Sequence, residues 1–203
     1  MIPTLLVGDY LFVSKFSYGY SRHSLPFSLP LFHGRILARE PERGDVVVFK
    51  LPSDEKTDYI KRIVGLPGDR IQVKGGILHI NGEPVKRERI DDYILRDENG
   101  NTVRQRQYHE TLPSGRSYNI LEISDNEMAD NTNVFVIPPG FYFGMGNNRD
   151  NSRDSRFNGV GPIPQENLVG RAEFLFFSVD GSWWKFWEWP RNIRFDRLFT
   201  RIR

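Results

Sequence analysis

The segment Asp58-Tyr-Ile-Lys-Arg-Ile-Val-Gly-Leu-Pro-Gly-Asp69 constrains the fold more than any other stretch of this chain. Its first half alternates as a β-strand does, and Leu66-Pro-Gly-Asp69 is a turn that stops the strand abruptly. Two cations sit inside an otherwise apolar, β-branched run. At a period of two, Tyr59, Lys61 and Ile63 share one face, and Ile60, Arg62 and Val64 share the other. If either face is covered, a cation is covered with it. A buried lysine gives up its proton readily, because desolvation penalises the ammonium form. It can then serve as a general base near neutral pH, which an arginine cannot do. The same pattern also fits two surface cations on a half-exposed strand, and parity does not choose between Lys61 and Arg62.

The rest of the chain is written in the same β style. Val46–Lys50 is a continuous apolar strand after the turn at Pro41–Asp45. Asp69–Val85 holds two further short strand pairs punctuated by Gly75-Gly76 and Asn81-Gly82, the strongest kind of hairpin signal. Residues 4–14 suggest a strand, a bend at Gly8-Asp9 and a second strand, and residues 17–43 an extended, Pro- and Gly-rich ribbon. From residue 86 to 133 the chain turns polar, with only isolated apolar pairs, and is expected to form an inserted, partly solvent-facing β subdomain. Its Pro113-Ser-Gly-Arg-Ser117 segment reads as a hairpin loop. Apolar strands return at Val134–Met145 and Glu166–Val179. The expected architecture is mostly β, a β-barrel or sheet core from residues 1–71 and 136–203 with a smaller β subdomain inserted over residues 72–135.

Between the last two strands lies Gly146-Asn-Asn-Arg-Asp-Asn-Ser-Arg-Asp-Ser-Arg156, eleven residues without one apolar side chain. Such a loop can satisfy its own hydrogen bonds and present hydroxyls and charges at fixed positions, or it can be a mobile surface loop. The tail, residues 182–203, places four tryptophans among Lys185 and five arginines. That composition suits the headgroup boundary of an anionic membrane, or a terminal aromatic cluster packed on its own domain.

Several functions are excluded or disfavoured. The 203 residues carry a net charge of +2, too small to argue for nucleic acid. The absence of cysteine rules out a thiol nucleophile, thiolate metal sites and disulfides. His23, His33, His79 and His109 show no metal-ligand spacing, and neither a phosphate loop nor a G-x-S-x-G elbow occurs. No metal and no cofactor is therefore expected, although spacing does not exclude a site assembled in three dimensions. No run of 18 apolar residues could span a bilayer as a helix, and the first residues do not resemble a signal peptide.

Three separated segments resemble the conserved boxes of type I bacterial signal peptidases. They are Met1-Ile-Pro-Thr-Leu5 with Gly8-Asp9, then Tyr59–Asp69, then Gly146–Arg156. Their order and the inserted subdomain agree as well, so the resemblance spans nearly the whole chain. It implies a membrane-anchored serine endopeptidase with a Ser–Lys dyad, which removes signal peptides from exported preproteins after Ala-X-Ala-like sites. It implies a monomer in the inner (cytoplasmic) membrane whose catalytic domain faces the periplasm and touches the lipid surface. On this resemblance Lys61 is the general base and Ser152 the residue that orients it. Met1, Leu5, Tyr59 and Ile60 line the substrate pockets, and Arg62, Asn147, Asp154 and Arg156 brace the site.

The chain departs from the family pattern in two places. The family motif reads Ser-Gly-Ser-Met-x-Pro-Thr with the second Ser as nucleophile, and this sequence starts at the Met. The nucleophile, the first Ser and the membrane anchor would all lie upstream of Met1, so the fragment as given is expected to be inactive. Asn147 also stands where the family often has Asp, which removes charge assistance from the bracing contact. The length of the insert and the wording of the Lys61 segment favour the housekeeping type over a relative that processes a specialised substrate such as a conjugation pilin. A reading of a different class is a non-catalytic relative that lost the serine and binds peptides or a membrane surface.

Overall fold

Fifteen strands organise the computed structural model, which describes residues 1–24, 34–96, 102–180, 187 and 192–202. They are β1 (Asp9–Ser14), β2 (Tyr20–Ser21), β3 (Arg35–Ile36), β4 (Val46–Lys50), β5 (Asp58–Gly65), β6 (Arg70–Lys74), β7 (Ile77–Ile80) and β8 (Glu83–Pro84). There follow β9 (Lys86–Arg96), β10 (Thr102–Thr111), β11 (Ser117–Glu122), β12 (Phe135–Val136), β13 (Phe141–Met145), β14 (Ile163–Pro164) and β15 (Leu168–Ser178). Among the described residues the named helical elements are short 3₁₀ turns such as Gln165–Asn167.

The main sheet is antiparallel with strand order β1-β15-β4-β5-β13-β14. Its two outer strands do not pair with each other among the described residues, so the sheet is open and the barrel alternative is not realised. Smaller sheets are β12-β6-β7-β8, β11-β10-β9 and the β2-β3 ribbon. The mostly β expectation holds. The strand expected from residue 4 up to the Gly8-Asp9 bend does not form: these residues turn instead, with the Leu5 amide donating to the Met1 carbonyl at 3.1 Å. Pro3 has no N–H to give a ladder there. The described part of the tail contributes an isolated bridge from Val179 to Ile193 and an exposed Trp187; most of the aromatic segment expected at the lipid boundary lies outside the described residues, as does His33.

Turn chemistry sets the register. Gly75-Gly76 and Asn81-Gly82 all adopt positive φ, the conformation a two-residue hairpin needs, and they pair Lys74 with Ile77 and Ile80 with Glu83. At the end of β5, Gly68 takes φ +87°, and the Asp69 carboxylate accepts a hydrogen bond from the Leu66 amide at 2.6 Å. That Asp cap closes the turn and stops the strand.

β5 feeds the core on both sides. Tyr59 and Ile63 pack with Val47, Phe49, Tyr142, Ile163 and Leu168 on one face. On the other, Ile60 joins Leu5, Val46, Ala172 and Leu175, and Val64 joins Ile71, Leu78, Ile120, Phe143 and Met145. The last cluster mixes residues from the segment set apart at 72–135 with residues of the main sheet. Phe143, fully buried in it, is expected to cost about 3–5 kcal/mol on replacement by Ala. Phe16→Ala, at a site 65% exposed, should change stability by no more than about 0.5 kcal/mol. Urea unfolding of the two variants tests the contrast.

Candidate active site

Lys61 and Arg62, neighbours on β5, meet different surroundings. Arg62 is the more buried cation, 1% exposed. Its Nη1 donates to the Gly44 carbonyl at 2.7 Å and its Nε to Asn147 Oδ1 at 3.3 Å. Its guanidinium also lies 3.9 Å from the centre of the Tyr118 ring. These contacts use the planar fork that a lysine lacks. Lys61 lies half-buried on the opposite face, its Nζ 5.4 Å from the centre of the Tyr59 ring. Burial lowers the Lys61 pKa from its ordinary value; nearby Asp154 opposes the shift and Arg156 adds to it. Asp154 is already committed to Arg156, so it neutralises Lys61 poorly.

The 146–156 loop wraps around these cations. Asp154 accepts from Arg156 Nε at 2.9 Å and from Arg156 Nη2 at 3.1 Å, and from the Gly146 amide at 3.0 Å. The Ser155 hydroxyl accepts from the Gly144 amide at 3.0 Å. Ser152 sits against Gly146 so closely that a Cβ at Gly146 would fall 2.0 Å from the Ser152 Oγ. Glycine is required there by space alone. The Ser152 hydroxyl is buried and has no hydrogen-bond partner among the described residues, so it makes no hydrogen bond to Lys61 here. Gly144 plays a similar part beneath the lysine, where a Cβ would come within 3.0 Å of the Lys61 Cβ.

Asn147 ties the two ends of the site. Its Oδ1 faces Arg62, while its Nδ2 donates to Thr4 Oγ1 at 2.6 Å and to the Asn119 carbonyl at 3.2 Å. An amide is suited to this junction because it offers an acceptor to the cation and donors to the oxygens. Thr4 anchors the first residues, and the Met1 α-amino group lies close enough to Lys61 to feel its charge. Burial first, and then that repulsion, lower the α-amino pKa to about 6. Met1, Leu5 and Ile60 pack in one cluster. Tyr59 packs on the other face of β5, on the side of Lys61.

Sequence reasoning missed a second layer. Arg149, fully buried, bonds Glu110 at 2.5 Å, and the Tyr118 hydroxyl donates to the same carboxylate oxygen at 2.6 Å. Glu110 and Tyr118 come from β10 and β11, whose alternating polar residues resemble any exposed hairpin. Only Arg149, lying inside the polar loop, carried a hint.

With this geometry in hand, comparison with known proteins is specific. Residues 1–177 match the family model described as signal peptidase, peptidase S26. Signal peptidase I of Rickettsia typhi (strain ATCC VR-144 / Wilmington) is 42% identical over 221 aligned residues, covering all of this chain and 82% of that protein. Signal peptidase I of Rickettsia akari (strain Hartford) is 41% identical over all of this chain and 81% of its own length. A signal peptidase I structure from Enterococcus faecalis V583 matches with a TM-score of 0.37 at 23% identity, over 66% of this chain and 97% of that one. The chain is a member of the signal peptidase family, peptidase S26.

Two measurements test the site. In an NMR titration of isotopically labelled lysines, Lys61 should deprotonate below the ordinary lysine range. Because the folded-state value is the lower one, charging Lys61 opposes folding at every pH below the ordinary lysine value, and the penalty vanishes only above it. Lys61→Met should therefore raise Tm at pH 7, with a gain that shrinks towards pH 11. Asn147→Ala, which strips Thr4 Oγ1 and Arg62 Nε of a partner, should cost about 1–3 kcal/mol in chemical unfolding.

Proposed function

We propose that this chain carries the base and the bracing residues of a signal peptidase I, a serine endopeptidase whose nucleophile is the residue preceding Met1. The observation that carries this reading is the approach of the Met1 amino group to Lys61, whose burial favours the neutral amine. A serine placed one residue upstream would be joined at that amino group, close enough to Lys61 to feel its charge. The Rickettsia relatives named above are signal peptidases I.

In the proposed reaction the neutral Lys61 amine takes the proton of the serine Oγ as that oxygen attacks the scissile carbonyl carbon. The resulting ammonium returns the proton to the leaving amine, and water then hydrolyses the acyl-enzyme with Lys61 again acting as base. The nucleophile's own backbone N–H and the hydroxyl of the serine two residues further upstream would hold the oxyanion. Ser152 is assigned to orient the lysine; its hydroxyl makes no such hydrogen bond in this structure, but it is buried without another partner and so is available to make one. Asp154 and Arg156 hold the loop, Arg62 and Asn147 hold Thr4 and hence the nucleophile's segment. Met1, Leu5, Ile60 and Tyr59 would border pockets that accept small side chains. A lipid surface fits the exposed aromatics of the β1–β15 edge, Phe12 stacked on Phe174 and Phe176 tilted against Tyr10.

The deciding experiment adds Ser-Gly-Ser directly before Met1 and assays cleavage of a purified preprotein. The extended chain should cleave at one Ala-X-Ala-like site, with a rate that rises as pH rises through the lowered Lys61 pKa. Lys61→Met should abolish turnover, and Ser152→Ala should lower kcat by about 10²-fold with little change in KM. The 203-residue chain without the extension should be inactive. Cleavage that survives Lys61→Met, or that needs no upstream serine, would overturn the assignment. Peptide binding without turnover would favour a non-catalytic relative.

A further inference from the structure

We propose that Glu122, Asp130 and Asp150 form a site for a hard divalent cation of the calcium class, joining the β10–β11 hairpin to the loop that carries Ser152 and Asp154. The three residues come from the end of β11, from the segment before β12, and from the 146–156 loop. One carboxylate oxygen from each lies within 4.8 Å of the others. Glu122 and Asp130 are fully buried.

The orientation of these groups favours a cation over a chance gathering of acids. Asp150 accepts the Ile123 amide at 2.5 Å and the Ser124 amide at 3.3 Å on Oδ2, and Asp130 accepts the Glu127 amide at 2.7 Å on its own Oδ2. Each aspartate is thus fixed by one oxygen, and its Oδ1 is buried without a hydrogen bond among the described residues. Glu122, with a side chain 1% exposed, has no hydrogen bond on either oxygen. Four buried carboxylate oxygens without donors are costly unless something positive meets them.

No neighbouring arginine donates a hydrogen bond to these oxygens, and the attraction of Arg149 and Arg87 for Glu122 does not offset its burial. Arg87 pairs with Asp125 at 2.9 Å, Arg149 with Glu110 at 2.5 Å and Arg156 with Asp154 at 2.9 Å. Arg87 comes no closer to Glu122 than 3.8 Å, beyond hydrogen-bond range, and Arg106 reaches only Asp125, at 3.9 Å. Each of these three cations has its own carboxylate, and three carboxylates remain. Burial raises Glu122 to about 9 against the opposing pull of Arg149 and Arg87, with Asp150 and Asp130 adding to the rise.

All-oxygen ligands select a hard cation. Two ligands of one ion lie no further apart than twice the metal–oxygen distance, about 4.2 Å for magnesium and about 4.6–5.2 Å for calcium. Oxygens within 4.8 Å of one another can share one ion, and a buried set of protein carboxylates suits calcium, whose coordination is flexible, better than magnesium, which keeps several of its waters.

The test is calorimetric titration of calcium chloride into the metal-stripped chain at pH 7.5, with magnesium chloride in parallel and thermal melting as a second readout. One calcium per chain should bind, more tightly than magnesium, and Tm should rise by about 5 °C at a hundredfold excess over Kd. Glu122→Gln and Asp150→Asn should each weaken calcium binding at least tenfold. Both should stay folded by circular dichroism, and Glu122→Gln should melt no lower than the parent without calcium, because it removes repulsion. Absence of calcium binding at millimolar concentration would overturn the proposal and leave a proton on Glu122 as the relief of charge. Undiminished binding in both variants would overturn it as well.

Discussion

The structure depends on a charge placed where hydrophobic strands would not tolerate one. Arg62 stays ionised at neutral pH even though burial lowers its pKa to about 10, so placing it inside β5 obliges its surroundings to meet it with oxygen lone pairs and a π-face. Gly44 before β4, Asn147 after β13 and Tyr118 on β11 do so from three separate parts of the chain. Once they converge, the register of β5 against β4 and β13 is fixed by polar geometry as well as by packing. Lys61, one residue earlier, then necessarily faces the other way. The chain thus gives an arginine, charged at neutral pH, to architecture, and in the proposed reaction the titratable lysine is the one that acts.

The polar loop follows from the same economy of charge. Eleven residues with no apolar side chain cannot be held by burial of hydrophobic area, yet Asn147, Arg149, Asp154 and Ser155 are all buried. They are held by mutual bonds and by the backbone of β13. Buried ion pairs contribute little net stability, because desolvation offsets their attraction. They do penalise any arrangement that breaks them, so they favour the arrangement of the loop seen here. Gly146 completes it by leaving Ser152 the space that any side chain would occupy.

Much of this was legible in the sequence, and the limits have physical causes. The Leu66–Asp69 turn and the two glycine hairpins were readable because positive φ and Asx capping are local chemistry. The two faces of β5 followed from its period, but which cation was more buried did not, because burial depends on what the other segments bring. The stretch from residue 4 to Gly8 misled because its apolar content suggested a strand where the Leu5–Met1 turn prevails. A closed barrel was not distinguishable from an open sheet, since strand patterns carry no record of whether edges meet. The carboxylates Glu122, Asp130 and Asp150 meet only in three dimensions.

The β9–β11 segment shows why a polar insertion need not be an appendage. The Leu121 amide donates to the Asn147 carbonyl at 2.8 Å, and the Arg149 amide to the Leu121 carbonyl at 2.9 Å. The polar loop is therefore bonded to the end of β11 as a short parallel strand would be. Tyr118 and Glu110, from β11 and β10, reach across to Arg62 and Arg149. An insertion that pairs with the loop's backbone and supplies partners for its buried cations limits the loop's freedom directly. The end of the segment next to the loop is bound to the site by hydrogen bonds that have no solvent to replace them.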